Sequence, residues 1–414
     1  MKKKWVGWVA GIGLTATVGF PYAQSDDHSH DQDRDREVQG KRYRYDAKDR
    51  RSDPVALAAR IKARQHFFGE ENVDPKTGRV DDSKVIVSWF SVASFAVAAR
   101  GRVFLMDTYI YRVADTPGYV PTTVQELVDL KPEAIFIGHG HFDHADNAAY
   151  ISKLTGAKIY GAAEHCDAFQ GDAARIFGAG NTVDCTAITT PGSAPGAEVR
   201  TLTSLSPDLC ITAFKHVHSG TVPVDPSLPR NPINPVRDPR VDTLFPPKPA
   251  PSLDTRTVAG AGGLVSIFYQ FTVAGSDFTF AWHDTGGPLK EQAPQIIPLL
   301  QSLPKTDIEL GASVSLGEAN NGVRDITTYI DALRPKVFYM THTDNFNIGA
   351  SEYYLQAIQR QFDIFNIPVD ARPEIRGFHD PYDYVRPLLA TYDYKDPAWR
   401  DMKKGSRHSG YCPG

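Results

Sequence analysis

The chain has 414 residues, of which 41% are hydrophobic, so it can form a substantial apolar core in one large domain or two smaller ones. Its formal net charge of -4 at pH 7 gives no electrostatic reason to expect a nucleic-acid partner. The sequence also contains no internal repeat, phosphate-binding glycine loop or dinucleotide fingerprint. We predict a small-molecule substrate and no nucleic-acid partner.

The amino terminus has the order of parts found in a secretory signal. Lysines at positions 2–4 precede an apolar run at positions 5–20, and cleavage near Ala23 would remove residues 1–23. Pro21 weakens that cleavage site, and the run is nearly long enough for an uncleaved membrane anchor. We predict export to the periplasm or the medium, with no membrane span after cleavage.

Residues 24–53 are dense in charge and almost devoid of aliphatic side chains. Such a segment cannot bury enough apolar surface to fold alone, so we predict a disordered arm. The folded region is predicted to begin at residue 54.

From Val85 onward the pattern is typical of β-strands. Strands are predicted over Val85–Phe90, Ser94–Ala99 and Arg102–Asp107, with a hairpin turn at Arg100 and Gly101. Thr123 and Glu126 have the spacing of a capping box, which predicts a helix from there to Leu130. Strands and helices then alternate up to a predicted helix over Ser351–Phe365, which indicates a layered α/β domain.

The stretch from Ala134 to Asn147 reads AIFIGHGHFDHADN and joins an apolar run to four potential metal ligands. Ala134–Ile137 is short and apolar and is followed by Gly138, so it predicts a buried strand. Side chains alternate along extended backbone, so His139 and His141 project to the same side.

Asp143 and His144 follow where a helix is predicted to begin, over Asp143–Leu154. The four side chains can therefore converge on two adjacent ions. Imidazole nitrogen together with carboxylate oxygen suits zinc first, with manganese or iron as alternatives.

The pattern His-x-His-x-Asp-His after a strand resembles the signature of the metallo-β-lactamase superfamily, and the resemblance covers roughly residues 85–345. It implies a four-layer αββα sandwich within residues 54–375. The sequence departs from a minimal version of that fold in a proline-rich insertion at 219–257 and an extension at 376–414. Such an insertion either shapes access to the site or is a surface meander, and we predict the former.

The resemblance also requires three later ligands, and the sequence offers candidates in the expected order. A strand ending CITAFKHVHSG supplies either His216 or His218; the wording of lactonase-type members favours His218, but the spacing alone does not choose. Asp284 follows the predicted strand Phe278–Trp282 and precedes a glycine, and His283 points the other way by alternation. His342 follows the predicted helix Arg324–Leu333 and strand Lys336–Met340.

Carried over by resemblance, one ion would be held by His139, His141 and His218, and the other by Asp143, His144 and His342, with Asp284 between them. This implies a two-metal hydrolase that uses a metal-bridging hydroxide on an ester, lactone, amide or phosphoester, with Asp143 also orienting the water. The alternatives are an iron-dependent sulfur oxygenase, another redox member of the same fold, or a non-catalytic metal-binding protein.

The four cysteines, Cys166, Cys185, Cys210 and Cys412, all follow the predicted signal segment. An oxidising compartment would allow up to two disulfides among them, in three possible connectivities.

Overall fold

A computed structural model of the protein describes residues 53–110, 122–220, 262–276, 278–313, 321, 323–343, 351–378 and 381–400. The predicted signal segment, residues 24–52 of the arm and residues 221–257 of the proline-rich insertion lie outside the described residues. Within the described ranges, no helix is both long enough and apolar enough to cross a membrane.

Two mixed β-sheets form the centre of the fold, with strands numbered in chain order. The first sheet contains β1 (Lys84–Ser91), β2 (Ser94–Ala99), β3 (Arg102–Met106), β4 (Ala134–Phe136), β6 (Lys158–Gly161), β7 (Cys185–Ala187) and β15 (Thr391–Asp393). Their spatial order is β15-β1-β2-β3-β4-β6-β7.

The second sheet contains β8 (Val199–Leu202), β9 (Leu209–His216), β10 (Gly263–Val273), β11 (Thr279–His283), β12 (Ile308–Ala312), β13 (Val337–Thr341) and β14 (Glu374–Gly377). Its order is β14-β13-β12-β11-β10-β9-β8, and the short strand β5 (His139–Gly140) pairs with β10. Strand β5 thus brings part of the histidine motif to the second sheet.

The helices are α1 (Pro54–Phe68), α2 (Val124–Asp129), α3 (Phe142–Ala145), α4 (Ala148–Thr155), α5 (Ala163–Phe177), α6 (Leu289–Gln292), α7 (Ile296–Ser302), α8 (Arg324–Leu333), α9 (Ser351–Ile364) and α10 (Pro397–Arg400).

Alternation along the strands explains the layers. In β1, Val87 and Trp89 belong to an apolar core shared by the two sheets, whereas Ile86 and Phe90 face the core formed with α1, α2, α4 and α5. The opposite face of the second sheet packs against α6 and α7, and against α8 and α9. The predicted four-layer α/β sandwich is therefore confirmed.

Several local predictions are confirmed. Arg100 and Gly101 both have positive φ, at 50° and 75°, and connect β2 to β3. Thr123 and Glu126 form the predicted capping box, in which each side chain accepts from the other residue's backbone N–H group.

The prediction of one helix over Asp143–Leu154 is wrong. The helix is broken at Asp146, whose ψ of 139° is not helical, and at Asn147, which has φ 73°. Asn147 donates a side-chain hydrogen bond to the carbonyl of Thr108 at 3.1 Å, which stabilises the bend. Asparagine tolerates this backbone region better than most residues, so two short helices replace the predicted one.

Residues after 375 contribute to both sheets. Strand β14 pairs in parallel with β13, and β15 pairs antiparallel with β1. Trp399 packs its ring edge-on against Tyr392, with the centroids 5.4 Å apart. The described part of the carboxyl-terminal segment therefore packs across the sandwich.

One disulfide links two described cysteines. Cys166 on α5 is bonded to Cys185 on β7, 19 residues further along the chain. Cys210 is also disulfide-bonded.

Candidate metal centre

The candidate ligands lie where strands of both sheets end. Strands β9, β11 and β13 run in the same direction, because β10 is antiparallel to β9 and β11, while β11, β12 and β13 are parallel. Their carboxyl ends therefore meet at one edge of the sheet. His218 follows β9, Asp284 follows β11 and His342 follows β13.

The first ligand group consists of His139, His141 and His218. Nε2 of His139 lies 3.0 Å from Nδ1 of His141 and 3.2 Å from Nε2 of His218. Nδ1 of His218 donates to the carbonyl of Ser219 at 2.6 Å, which leaves its Nε2 as an acceptor in the neutral ring. These three side chains could hold a metal ion.

The second ligand group consists of Asp143, His144 and His342. Nε2 of His144 lies 3.1 Å from Nε2 of His342. Oδ2 of Asp143 lies 3.6 Å from Nε2 of His144 and 3.5 Å from Nε2 of His342. All three side chains thus direct ligand atoms toward the same point.

Asp284 lies between the two groups and is fully buried. Its Oδ2 is 2.7 Å from Nδ1 of His139 and 3.1 Å from Nδ1 of His144. Its Oδ1 is also buried, and within the described part of the chain it has no hydrogen-bond partner. A buried carboxylate oxygen without a partner is costly unless a cation neutralises it.

Asp107 is a further residue of the candidate site, and the histidine motif does not include it. It directly follows β3, and its Oδ2 lies 2.7 Å from Nδ1 of His144, while its Oδ1 accepts from the backbone N–H of Gly138 at 3.0 Å. The contact leaves Nε2 of His144 facing the second ligand group. The feature of the sequence that could have identified Asp107 is its charge at the end of the otherwise apolar run VFLMD.

His216 and His283 are placed outside both ligand groups. His216 is buried, and its Nδ1 contacts the hydroxyl of Tyr329 at 2.9 Å. Nε2 of His283 contacts Glu309 at 2.8 Å, and its ring stacks on Tyr329 with the centroids 4.6 Å apart. Of the two alternatives that the sequence left open, the structure brings His218 to His139 and His141.

Burial keeps most of the candidate histidine ligands neutral. It lowers the pKa of His218 and of His342 to about 4, and it lowers the pKa of His139 well below its ordinary value. A neutral imidazole is the form that binds a metal ion. Burial would also lower the pKa of His144, but the charges of Asp143, Asp284 and Asp107 raise it well above its ordinary value.

The spacing of the ligand atoms fits metal ions. Nitrogen ligands about 2.0–2.1 Å from a tetrahedral zinc ion lie roughly 3.3–3.4 Å apart. The nitrogen pairs named above are separated by 3.0, 3.1 and 3.2 Å, slightly inside that spacing. The unpartnered Oδ1 of Asp284 is a further potential ligand atom, on a carboxylate whose Oδ2 lies within 3.1 Å of a histidine from each group.

Comparisons with known proteins agree with this chemistry. No family model matches the chain. Over 78 residues the chain is 37% identical to a UPF0173 metal-dependent hydrolase of Pyrobaculum neutrophilum. The matched region covers 19% of this chain and 32% of that relative. A protein of the same name from Polynucleobacter asymbioticus is 28% identical over 119 residues, covering 28% of this chain and 40% of that relative. The chain thus spans about a third of the length of the first relative and two fifths of the second.

Among solved structures, the chain is similar to Igni18, a metallo hydrolase from Ignicoccus hospitalis, with a TM-score of 0.42 and 15% identity over 71% of this chain and 94% of that chain. The four layers and the His-x-His-x-Asp-His motif at the sheet edge agree with the resemblance seen in the sequence. By these features the chain is similar to the metallo-β-lactamase superfamily, and over 78 residues it is similar to a relative named a metal-dependent hydrolase.

Proposed function

We propose that the protein is a hydrolase that holds two divalent metal ions. The observation that carries the proposal is the arrangement of two ligand groups side by side, with the buried carboxylate of Asp284 within 3.1 Å of a histidine from each. His139, His141 and His218 would hold one ion, and Asp143, His144 and His342 the other. Asp284 would contact both, and the mixture of nitrogen and oxygen donors favours zinc.

Such ions, when bound, supply Lewis acidity that activates water and polarises a carbonyl or phosphoryl oxygen. The chain's own residues position this chemistry. Asp107 orients His144, and Ser219 orients His218, each by binding the ring nitrogen that faces away from the ligand group. These contacts fix which nitrogen is available as a ligand.

Asp143 is the best-placed residue to contact the water or substrate. Its side chain is 13% exposed, whereas that of Asp284 is fully buried. A carboxylate at the open side of the site can accept a hydrogen bond from an attacking water and so orient it. The substrate class that we propose is a small ester, lactone, amide or phosphoester.

The proposal is tested by measuring the metal content of natively purified protein, followed by ester, lactone, amide and phosphodiester cleavage assays with and without oxygen. We expect two ions per chain and oxygen-independent cleavage that Asp284→Ala abolishes. Asp363→Ala is the matched control, because Asp363 is an exposed carboxylate paired with Arg372 away from the site. One iron per chain, with turnover that consumes oxygen, would instead support a redox function.

Export of the protein is a separate proposal that rests on the amino-terminal sequence. Lysines at positions 2–4 precede the apolar run, so the mature chain is expected to begin near Gln24 outside the cytoplasm. Amino-terminal sequencing of the processed protein tests this, and an intact Met1 in a cytosolic fraction would contradict it.

A further inference from the structure

The turn between β1 and β2 lies against the end of β13. Val92 and Ala93 connect the two strands, and both are completely buried. The backbone N–H of His342, which follows β13, donates to the carbonyl of Val92 at 2.9 Å. A turn of the first sheet therefore binds the backbone of a candidate ligand that the second sheet delivers.

Both residues of this hydrogen bond have an unusual backbone conformation. Val92 has φ 45° and His342 has φ 64°, in the left-handed region that a β-branched residue such as valine rarely adopts. Backbone in such a region persists only where the surrounding contacts determine it. The contacts that hold Val92 in this conformation therefore help to set the position of His342.

Two tryptophan side chains hold the turn. Nε1 of Trp89 donates to the carbonyl of Val92 at 2.9 Å, and Nε1 of Trp282 donates to the carbonyl of Ala93 at 3.2 Å. A carbonyl oxygen has two lone pairs, so that of Val92 accepts from Trp89 and from His342 together. Each carbonyl of the turn thus has its direction fixed by an indole N–H group.

The carboxyl-terminal segment fixes Trp89 in turn. The indole ring stacks on Tyr384 and on Phe378, with the centroids 4.4 and 4.8 Å away. The carbonyl of Trp89 accepts from the backbone N–H of Val385 at 2.8 Å. The hydroxyl of Thr343 donates to the carbonyl of Phe378 at 3.3 Å. This segment therefore contacts both Trp89 and the loop after β13.

His342 lacks the side-chain support that two other histidine ligands have. Nδ1 of His144 faces Asp107, and Nδ1 of His218 binds the carbonyl of Ser219. Nδ1 of His342 is buried, and within the described ranges it has no hydrogen-bond partner. A bond to this second ring nitrogen is the usual means of orienting a ligand histidine. The orientation of His342 therefore depends on where its backbone is held.

We infer that Trp89 is a positioning residue, whose indole N–H fixes the carbonyl of Val92 and thereby places His342 for the second ligand group. The inference deepens the proposed function and rests on it. Trp89 acts through the backbone of Val92. Trp89→Phe removes the N–H group and keeps an aromatic ring, so it tests this contact.

The matched control is Trp399→Phe, which removes a mostly buried indole from the same apolar core. The ring of Trp399 contacts Phe278 and Tyr392. Tyr392 pairs with Val85, near the start of β1, whereas the turn follows the end of that strand. The control therefore changes the core away from His342.

The first readout is hydrogen exchange of the metal-free proteins over residues 91–94 and 340–343. We expect Trp89→Phe to speed exchange in both segments about 5-fold, the effect of losing one ordinary hydrogen bond. The second readout is a zinc titration that resolves the two ions. Trp89→Phe should weaken the binding of one ion about 10-fold and leave the other unchanged, because the first ligand group does not contain His342. Trp399→Phe should alter neither readout.

The inference requires both effects in Trp89→Phe, and the absence of either would overturn it alone. Faster exchange with unchanged zinc binding would show that Trp89 stabilises only the turn. If Trp89→Phe does not fold, replacement of Trp89 by 3-benzothienylalanine keeps the ring shape, puts sulfur in place of the N–H group and should give the same pattern. Failure of the unmodified protein to bind zinc would overturn the proposed function as well.

Discussion

Gly138 lies so close to Asp284 that no side chain fits between them. A Cβ atom built on Gly138 would lie 2.1 Å from Cγ of Asp284 and 2.2 Å from its Oδ2. Real contacts of this kind do not occur, so the strand end before the histidine motif requires glycine. The requirement comes from the carboxylate that lies between the two ligand groups.

We therefore predict that Gly138→Ala displaces Asp284 and lowers the amount of bound metal to one ion or none per chain. The matched control is Gly171→Ala in α5, where a Cβ meets no atom within 4 Å. That change should leave metal content unaltered and stabilise the fold by about 0.5–1 kcal/mol, because alanine loses less conformational entropy in a helix. Metal content and chemical unfolding of both variants provide the measurement; full metal content in Gly138→Ala would contradict the prediction.

Asp107→Asn is predicted to disable His144 with little change in shape. The amide oxygen can still accept from Gly138, but the amide NH₂ then faces Nδ1 of His144 and donates to it. The ring proton moves to Nε2, which can no longer bind a metal ion. We expect metal affinity to fall about 10- to 100-fold, as for other residues that orient ligands.

Metal titration of Asp107→Asn beside Asp363→Asn tests this prediction, because Asp363 forms an exposed ion pair with Arg372. Asp363→Asn should bind metal as the unmodified protein does. An equal affinity in both variants would show that Asp107 does not orient a ligand.

The two neighbouring histidines are predicted to differ in metal binding. His218→Ala removes a nitrogen that lies 3.2 Å from Nε2 of His139, so one ion should be lost. His216→Ala removes a buried ring that contacts Tyr329, so metal content should be kept while the protein becomes less stable. The metal stoichiometry of both variants shows which of the two histidines is a ligand. Loss of an ion in His216→Ala alone would assign the ligand to His216.

His165 is predicted to make the metal-free protein less stable in mild acid. Its side chain is fully buried, it accepts from the N–H of Ala162 at Nδ1, and it donates to the carbonyl of Val265 at Nε2. Burial lowers its pKa to about 4, below the unfolded value of about 6.5. The unfolded chain therefore binds more protons between these values, and stability falls as the pH drops through that window.

Between pH 7 and pH 5 the contribution of His165 to this loss is about 2 kcal/mol. His165→Gln keeps a donor and an acceptor but does not titrate, so its unfolding free energy should fall less over the same range. Denaturant unfolding at the two pH values measures the difference. Equal pH dependence in the two proteins would show that His165 does not contribute.

Sequence patterns predicted the structure correctly where it depends on interactions between residues close together in the chain. Alternation of apolar residues is enough to place β1, β2 and β3, and a pair of positive-φ residues at Arg100 and Gly101 closes their hairpin. The capping box at Thr123 and the spacing of the histidine motif involve residues only a few positions apart. The nature of the candidate site was therefore predictable from one short segment and its resemblance to a family.

Tertiary structure decided the choices that depend on distant residues. His216 and His218 project to the same face by alternation, and only the turn after β9 brings His218 to His139. The role of Asp107 depends on β3 and β4 lying side by side, which no local pattern specifies. The break at Asn147 depends on a carbonyl 39 residues away in the chain. In each case the deciding energy is a contact between segments far apart in sequence, so it exists only once the sheets have formed.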